Sequence, residues 1–85
     1  MPYKIVFSDS ADAQLKRLDR VYATRIARKL RSIAGNPQLA LRKLSGREEL
    51  KLRVGDYRLL IIILHDENML LIVAIGHRSD VYKKH

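Results

Sequence analysis

The sequence predicts an α+β fold in which two N-terminal helices pack on one face of a mainly antiparallel sheet. Apolar residues recur at helical spacing between residues 10 and 34, and at strand spacing after residue 49. Two turn signals divide that second region into three strands, and one short strand precedes the helices. The expected order is therefore β-α-α-β-β-β with a short C-terminal tail or helix. A chain of 85 residues is expected to form a single domain over 1–85.

The first strand is predicted over Tyr3–Phe7, a short apolar segment that ends at a helix start signal. Ser8 or Ser10 is suited to be the N-cap, because a serine hydroxyl accepts a hydrogen bond from a free amide of the first helical turn. Apolar side chains then recur at spacings of three and four residues. This spacing predicts helices over roughly residues 10–18 and 20–34.

The second helix is expected to end at Gly35 in the left-handed conformation, with Pro37 preventing its continuation. A connector over residues 38–49 follows. Three leucines of the connector are expected to contact the core: Leu39, Leu41 and Leu44. Gly46 marks a turn within it.

Three strands are predicted after the connector, separated by two hairpin turns. The strands are Glu49–Val54, Tyr57–His65 and Met69–Gly76. The first turn consists of Gly55 and Asp56, and the second runs from Asp66 to Asn68.

The chain is strongly basic, with 17 Lys and Arg against 9 Asp and Glu and a net charge of +8. This imbalance favours a polyanionic partner such as nucleic acid or a ribonucleoprotein. An acidic protein partner and a merely solvated surface stay open as alternatives. The longest apolar run is too short to span a bilayer, which needs roughly 20 residues. With no signal-peptide core either, we expect a cytoplasmic protein that contacts no membrane.

The two-residue turn fixes where the cations of the first hairpin point. It pairs Arg53 with Arg58 and Lys51 with Leu60, and cross-strand partners share a face of the sheet. Lys51, Arg53 and Arg58 are therefore expected on one face, with the helices covering the other. Arginines directly opposite each other repel. Either they extend into water, where salt screens the repulsion, or they form a surface that binds an anion.

The last strand is expected to bring further polar side chains to the same end of the sheet. If the second turn is a three-residue loop, His65 pairs with Met69 and Arg58 lies opposite Gly76. His77, Arg78 and Tyr82 then follow beside Arg58. Arginine binds phosphate through two parallel hydrogen bonds, and tyrosine can stack on a base.

Other chemistries lack the residues that they require. There are no cysteines, so thiolate metal sites and a cysteine nucleophile are excluded. The three histidines lack metal-ligand spacing, and no glycine-rich phosphate loop is present. We therefore expect no metal and no small-molecule cofactor.

Two motifs, "LKLRVGDYRLL" and "GHRSDVY", resemble the RelE branch of the RelE/ParE toxin superfamily. Chain length and element order also match, so the resemblance covers essentially the whole chain. It implies the toxin of a type II toxin–antitoxin pair, with a cognate RelB-like antitoxin as partner. It further implies an endoribonuclease that enters the ribosomal A site and cuts mRNA. There, the ribose 2′-oxygen attacks the adjacent phosphate.

The resemblance also implies roles for individual residues. Arg58 would hold the scissile phosphate, and Lys51 would activate the 2′-hydroxyl or stabilise charge. Arg53 would lie near the RNA backbone, Arg78 would stabilise the transition state, and Tyr82 would stack on the substrate nucleotide. The arginines and lysines of the helices would contact ribosomal RNA phosphates.

The sequence departs from the family pattern at two points. Glu49 stands where relatives often carry a lysine, and the segment between Gly76 and Tyr82 is shorter than in some members. The proton acceptor could be Lys51, Glu49 or His77. Two other functions stay open: a ParE-like toxin that inhibits DNA gyrase without cutting RNA, and a degenerate RNA-binding module. The combination of basic residues and tyrosine favours the nuclease.

Overall fold

Residues 3–36 and 47–77 are described by the computed structural model of the chain. The elements in chain order are β1 (Lys4–Phe7), α1 (Asp9–Arg17), α2 (Arg20–Ala34), β2 (Arg47–Val54), β3 (Tyr57–Leu64) and β4 (Met69–His77). A single 3₁₀ turn, His65–Glu67, joins β3 to β4. This order confirms the predicted β-α-α-β-β-β arrangement. The expected contacts of Leu39, Leu41 and Leu44, and the roles of Pro37 and Gly46, lie outside the described residues.

The four strands form one sheet in the order β1-β4-β3-β2. Strands β2, β3 and β4 are antiparallel neighbours. Strand β1 pairs in parallel with β4, from Lys4 beside Met69 to Phe7 beside Ile72. The sheet is thus mixed but mainly antiparallel, as predicted. The parallel pair joins the first and the last element of the described residues.

Both helices pack on the same face of the sheet and bury one side of it. Fully buried side chains that form this core are Ile26 and Leu30 of α2 together with Leu59, Ile61, Ile63, Leu70 and Ile72 of the sheet. Burial of each such side chain contributes roughly 1.5–3 kcal/mol. Side chains alternate along β2 and β3, so every second one points to the opposite face of the sheet. No helix of the described residues covers that opposite face. Neither described helix is long and apolar enough to cross a membrane.

Ser8 connects the start of α1 to the sheet. Its hydroxyl accepts a hydrogen bond from the Ala11 amide at 3.1 Å and donates one to the Val73 carbonyl at 2.7 Å. Ser8 is therefore the N-cap, one of the two serines that the sequence suggested. The carboxylates of Asp9 and Asp12 in the first turn also favour the helix through its dipole.

The predicted left-handed conformation of Gly35 is wrong. Gly35 ends α2 in a right-handed conformation, with φ −89° and ψ −2°, and its amide donates to the Arg31 carbonyl. The amide of Tyr3 donates to the Ala34 carbonyl at 2.9 Å. Because Tyr3, the residue before β1, satisfies a terminal carbonyl of the helix, no left-handed residue is needed to do so.

The predicted pairing of His65 with Met69 is also wrong, although the pairing of Arg58 with Gly76 that was deduced from it is correct. His65 belongs to the 3₁₀ turn, which Asn68 closes with φ 51°, and Leu64 pairs with Met69 instead. A β-bulge then shifts the register by one residue, because Val73 is extra in β4. Beyond the bulge the predicted register is restored. The Val73 carbonyl, displaced from the regular ladder, is the acceptor of the Ser8 hydroxyl.

At the end of the sheet opposite the β2–β3 turn, a buried chain of hydrogen bonds links β2, the 3₁₀ turn and the residue that precedes β1. The Tyr3 hydroxyl lies 2.9 Å from His65 Nδ1, and His65 Nε2 lies 2.9 Å from Glu48 Oε1. Tyr3 and His65 are both buried. Glu48 belongs to β2, which begins at Arg47, two residues earlier than predicted. These hydrogen bonds fix the first residues of β2 against the 3₁₀ turn and against Tyr3, the residue before β1.

Candidate functional site

The β2–β3 hairpin presents three cations on the face of the sheet opposite the helices. Arg53 pairs with Arg58, and Lys51 pairs with Leu60, as the sequence predicted. Because partners across two strands share a face, all three side chains emerge together. We call Lys51, Arg53 and Arg58 the cationic face. The turn between the strands contains Gly55, whose φ of +59° is the left-handed conformation that glycine favours.

Arg58 occupies the central position of the cationic face. It lies between Arg53 on β2 and Gly76 on β4, as predicted. Arg58 is partly buried and its Nε is shielded from solvent, whereas Lys51 and Arg53 are exposed. Glycine offers no side chain to cover the strand beside Arg58, so a ligand can approach from that side. Burial of the side chain restricts its motion and directs the guanidinium group.

The β4 bulge decides which side chains flank the cationic face. Because Val73 is extra, Ile75 points into the core and is only 3% exposed, while Gly76 shares the face of Arg58. Without the bulge the alternation of β4 would be reversed at this end, and a bulky isoleucine would stand beside Arg58. The bulge therefore keeps the approach to Arg58 open.

One carboxylate shares the face with these cations. Glu49 lies two residues before Lys51 on β2, pairs with Ile62 and is exposed. Side chains two apart on a strand lie on the same face. The structure therefore brings one possible proton acceptor, Glu49, close along the strand to another, Lys51.

His77 lies at the predicted end of the sheet but on the other face. It pairs with Tyr57, and the two ring centroids are 6.1 Å apart in an edge-to-face arrangement. Its imidazole is exposed on the helix side, whereas Arg58 belongs to the opposite side. Arg78 and Tyr82 lie outside the described residues, so their roles stay predictions.

The sequence reasoning missed an aromatic row on the helix side of the sheet. Tyr22 of α2 contacts Tyr57 with ring centroids 5.1 Å apart, and Tyr57 in turn contacts His77. The guanidinium carbon of Arg25 lies 5.9 Å from the centre of the Tyr22 ring. The spacing of three residues between Tyr22 and Arg25 was a readable signal, because such residues share a helix face. The contact with Tyr57 depends on how α2 packs, which the spacing does not reveal.

The cationic face is suited to an anion with several oxygen atoms. Guanidinium groups bind phosphate bidentately, and cations directed at a phosphorus centre stabilise the charge that grows in its transition state. In residues 3–36 and 47–77, no three His, Asp or Glu side chains come together as a metal site would require. What the described residues offer chemically is thus positive charge in a fixed arrangement, with one carboxylate beside it.

Comparison with protein families gives a match over most of the chain. Residues 5–82 match the model of the ParE toxin of the type II toxin–antitoxin system parDE. A protein of Escherichia coli described as a RelE-like toxin is 31% identical over an alignment of 87 positions, and the match covers 96% of this chain and 92% of that protein.

Solved structures with the same fold include RelE toxins from an archaeon and a bacterium. The RelE–RelB complex of Pyrococcus horikoshii OT3 matches with a TM-score of 0.76 at 17% identity, covering 95% of this chain and all of that one, 100%. Free Escherichia coli RelE, carrying two arginine-to-alanine substitutions, matches with a TM-score of 0.71 at 20% identity. That match covers 98% of this chain and 90% of the toxin. At these identities the likeness concerns the fold.

Proposed function

The chain belongs to the RelE/ParE family of type II toxins, and from this premise we propose that it is a ribosome-dependent endoribonuclease. Its substrate would be mRNA in the ribosomal A site, and cleavage would inhibit translation. The observation that carries the proposal is the cationic face, in which Arg58 lies between Arg53 and Gly76 on a strand pair of fixed register.

The proposed reaction is an internal transfer at phosphorus. The ribose 2′-oxygen attacks the adjacent phosphorus, and the bond to the 5′-oxygen of the next nucleotide breaks. The products are a 2′,3′-cyclic phosphate and a free 5′-hydroxyl. The proton of the 2′-hydroxyl passes to a base, and the leaving oxygen takes up a proton. Negative charge accumulates on the phosphate oxygens during this step, so fixed cations lower its barrier.

Arg58 is the residue best placed to hold the scissile phosphate. Its partly buried side chain is less free to move than the exposed side chains of Lys51 and Arg53, and a preorganised donor stabilises developing charge without reorganising. Lys51, two residues along β2 from Arg53, would activate the 2′-hydroxyl or stabilise charge. Arg53 would bind the RNA backbone beside the scissile group.

The geometry supports Lys51 or Glu49 as the proton acceptor rather than His77. Lys51 and Glu49 emerge on the face that carries Arg58, whereas the His77 ring contacts Tyr57 on the helix side. A general base must come within hydrogen-bond reach of the proton that it removes. His77 is better suited to contact RNA beyond the reacting nucleotide.

Arg78 and Tyr82 complete the proposed site. They follow β4, which ends at His77, one residue after the Gly76 that lies beside Arg58. We assign to Arg78 the stabilisation of the transition state or leaving oxygen. To Tyr82 we assign stacking on the substrate nucleotide, which would hold the reacting groups in line.

A cognate RelB-like antitoxin is the proposed protein partner. The archaeal relative was solved as a complex with RelB. An antitoxin with acidic segments would complement the net charge of +8. Action on ribosomes would place the toxin in the cytoplasm.

Binding of the antitoxin should raise the thermal stability of this chain. A partner that binds only the folded state stabilises it by about 2.7 kcal/mol at a free concentration 100-fold above Kd. Thermal unfolding, followed with and without the antitoxin encoded beside the toxin gene, measures the effect. An unchanged Tm would contradict the partner assignment, and an unrelated acidic protein at equal concentration serves as the control.

The proposed function is tested by incubating the protein with a defined mRNA on programmed ribosomes and, separately, with the same mRNA free in solution. We expect cuts within the A-site codon on ribosomes and none in the free mRNA. Cutting of both mRNAs alike would contradict ribosome dependence. The absence of cuts by folded protein would contradict the nuclease assignment.

The match to the ParE family model favours one alternative, inhibition of DNA gyrase without RNA cleavage. A gyrase supercoiling assay with the same protein preparation separates the two functions. Inhibition of supercoiling together with uncut mRNA would support the alternative. Stable binding to ribosomes with neither effect would indicate a degenerate RNA-binding module.

A further inference from the structure

A cleft of about 440 Å³ lies between α2 and the β2–β3 turn. It is lined by Arg25, Arg28, Lys29, Ser32, Arg53, Val54 and Gly55. We call it the basic cleft, because Arg25, Arg28, Lys29 and Arg53 each bring a positive charge to it. None of its described lining residues carries a carboxylate. A concave surface lined by one sign of charge focuses the electrostatic field and attracts ions of the opposite sign.

The cations of α2 are brought to the cleft by helical spacing. Arg28 and Lys29 each lie three or four residues from both Arg25 and Ser32, so the four side chains share one face of the helix. The buried side chain of Ile26 holds the adjacent face against the sheet. This spacing is visible in the sequence. The opposite wall of the cleft is contributed by the hairpin turn, so only the fold reveals the concavity.

Arg25 is held in position at the wall of the cleft. A Cβ built on Gly55 would lie 3.5 Å from Arg25 Nη1 and 3.6 Å from Tyr22 Cε1, so both side chains contact the turn. The Tyr22 ring also lies beneath the guanidinium group. An arginine that is already ordered loses less entropy when it binds a ligand. Gly55 itself adds no side chain to the opening of the cleft.

The lining favours the phosphates of an RNA backbone over a protein segment. Guanidinium forks and a serine hydroxyl are donors that match phosphate oxygens. A docked helix or strand would require apolar contact area. The apolar side chain in the lining is Val54, which is only 7% exposed. The cleft therefore offers charge and hydrogen-bond donors, and its apolar surface is carried chiefly by the carbon atoms of its charged side chains and of the turn.

Arg53 connects the basic cleft with the cationic face. It lines the cleft and also pairs with Arg58 across the hairpin. Because β2 is the edge strand of the sheet, a long side chain there can reach around the edge. An RNA backbone that binds at Arg58 thus meets the charge of Arg53 and then that of the basic cleft as it passes the edge.

We propose that the basic cleft is a second RNA subsite, which binds backbone phosphates next to the site of cleavage and supplies affinity rather than chemistry. The proposal rests on the proposed function in taking RNA as the ligand. It assigns to Arg25, Arg28 and Lys29 a role distinct from that of the cationic face, because these residues lie on the other side of the β2 edge.

The test compares a cleft variant with wild type in a binding assay that no cleavage disturbs. The variant carries Arg25→Gln, Arg28→Gln and Lys29→Gln. The ligand is a programmed ribosome whose mRNA has a 2′-deoxy sugar at the scissile nucleotide. Affinity is measured between about 50 and 200 mM salt, the range in which phosphate contacts weaken most visibly. We expect the salt slope to fall by about 2 and the affinity at low salt to fall at least tenfold.

The matched control removes the same charge from α1 and α2 at positions outside the cleft. It therefore tests whether the RNA contacts expected of the helix cations are concentrated in the cleft. It carries Arg17→Gln, Arg20→Gln and Arg31→Gln, and we expect a much smaller change in slope. Equal losses in both variants would overturn the proposal, because net charge alone would then explain the effect. Wild-type binding by the cleft variant would overturn it as well. The double variant Arg28→Gln with Lys29→Gln keeps the Arg25 contacts with the turn and tests the cleft if the triple variant unfolds.

Binding measurements with vacant ribosomes and with free mRNA identify which RNA occupies the cleft. Comparison with the cleavage assay separates this proposal from the proposed function. A selective loss with vacant ribosomes indicates ribosomal RNA in the cleft, and a loss with free mRNA oligonucleotides indicates mRNA; both support the proposal. A loss confined to antitoxin binding overturns it. If wild type leaves cleavable mRNA intact but the slopes differ as expected, the proposed function fails and the cleft stands. If wild type cuts and the two variants bind alike, the cleft fails and the function stands.

Discussion

Replacing Arg58 by alanine should lower the rate of cleavage of ribosome-bound mRNA by roughly 100- to 1,000-fold, the effect of removing one preorganised donor to a transition-state oxyanion. Arg58 is the central and most buried cation of the cationic face, and Gly76 leaves its approach open. The loss should appear in the single-turnover rate at saturating protein. An interaction made chiefly in the transition state lowers that rate rather than the ground-state affinity.

Two comparisons make the Arg58 prediction specific. Arg58→Lys keeps the charge but loses the bidentate fork, so its rate should fall between those of the alanine variant and wild type. Arg17→Ala removes an exposed arginine of α1, on the helix side of the sheet. At saturating protein it should cleave at the wild-type rate, because a weaker contact with ribosomal RNA would lower affinity and not the single-turnover rate. A folded Arg58→Ala protein with a rate within about threefold of wild type would contradict the assignment, since such a change is too small for a catalytic donor.

Replacing His65 by alanine should destabilise the fold by about 2–4 kcal/mol. The ring is 9% exposed and joins the Tyr3 hydroxyl to the Glu48 carboxylate, at 2.9 Å on each side. A neutral imidazole with its proton on Nε2 donates to the carboxylate and accepts from the hydroxyl, so both ring nitrogens are used. Its removal leaves a cavity and takes this partner from the buried hydroxyl.

Urea denaturation measures the loss for His65→Ala as a lower midpoint with an unchanged m value. Tyr3→Phe removes one hydrogen bond and keeps the packing, so it should cost only about 1 kcal/mol. If His65→Ala unfolded at the same urea concentration as wild type, the hydrogen bonds from Tyr3 through His65 to Glu48 would not hold β2 in place. The hydrogen bonds of His65 lie at the end of β3 that is far from Arg58. We therefore expect the folded fraction of the variant to retain the wild-type cleavage rate.

Much of the fold could be predicted because its strands and turns have strong local signals. The two-residue turn at Gly55 and Asp56 determined the β2–β3 register, and with it the pairing of Arg53 and Arg58. The position of Gly76 was predicted correctly for an incorrect reason. The 3₁₀ turn ends β3 one residue earlier than predicted and lengthens the second loop by one residue, and the bulge at Val73 restores the register. Neither feature has a distinctive local sequence signal.

Features that depend on packing between distant segments could not be predicted from local sequence patterns. The parallel pairing of β1 with β4 and the satisfaction of the Ala34 carbonyl by Tyr3 both arise from tertiary contacts. The same holds for the wall that the hairpin turn adds to the basic cleft. The position of His77, in contrast, was already implied by the sequence. The predicted register pairs it with Tyr57, and residues paired across strands share a face.

The central claim is that the protein cuts ribosome-bound mRNA by attack of a 2′-hydroxyl on the adjacent phosphate. The most direct test uses one mRNA in two forms, with a ribose or a 2′-deoxyribose at the scissile nucleotide, each on programmed ribosomes. We predict that the ribose form is cut to a 2′,3′-cyclic phosphate and a 5′-hydroxyl, and that the deoxy form stays intact. Cleavage of both forms, or of neither by folded protein, would contradict the account.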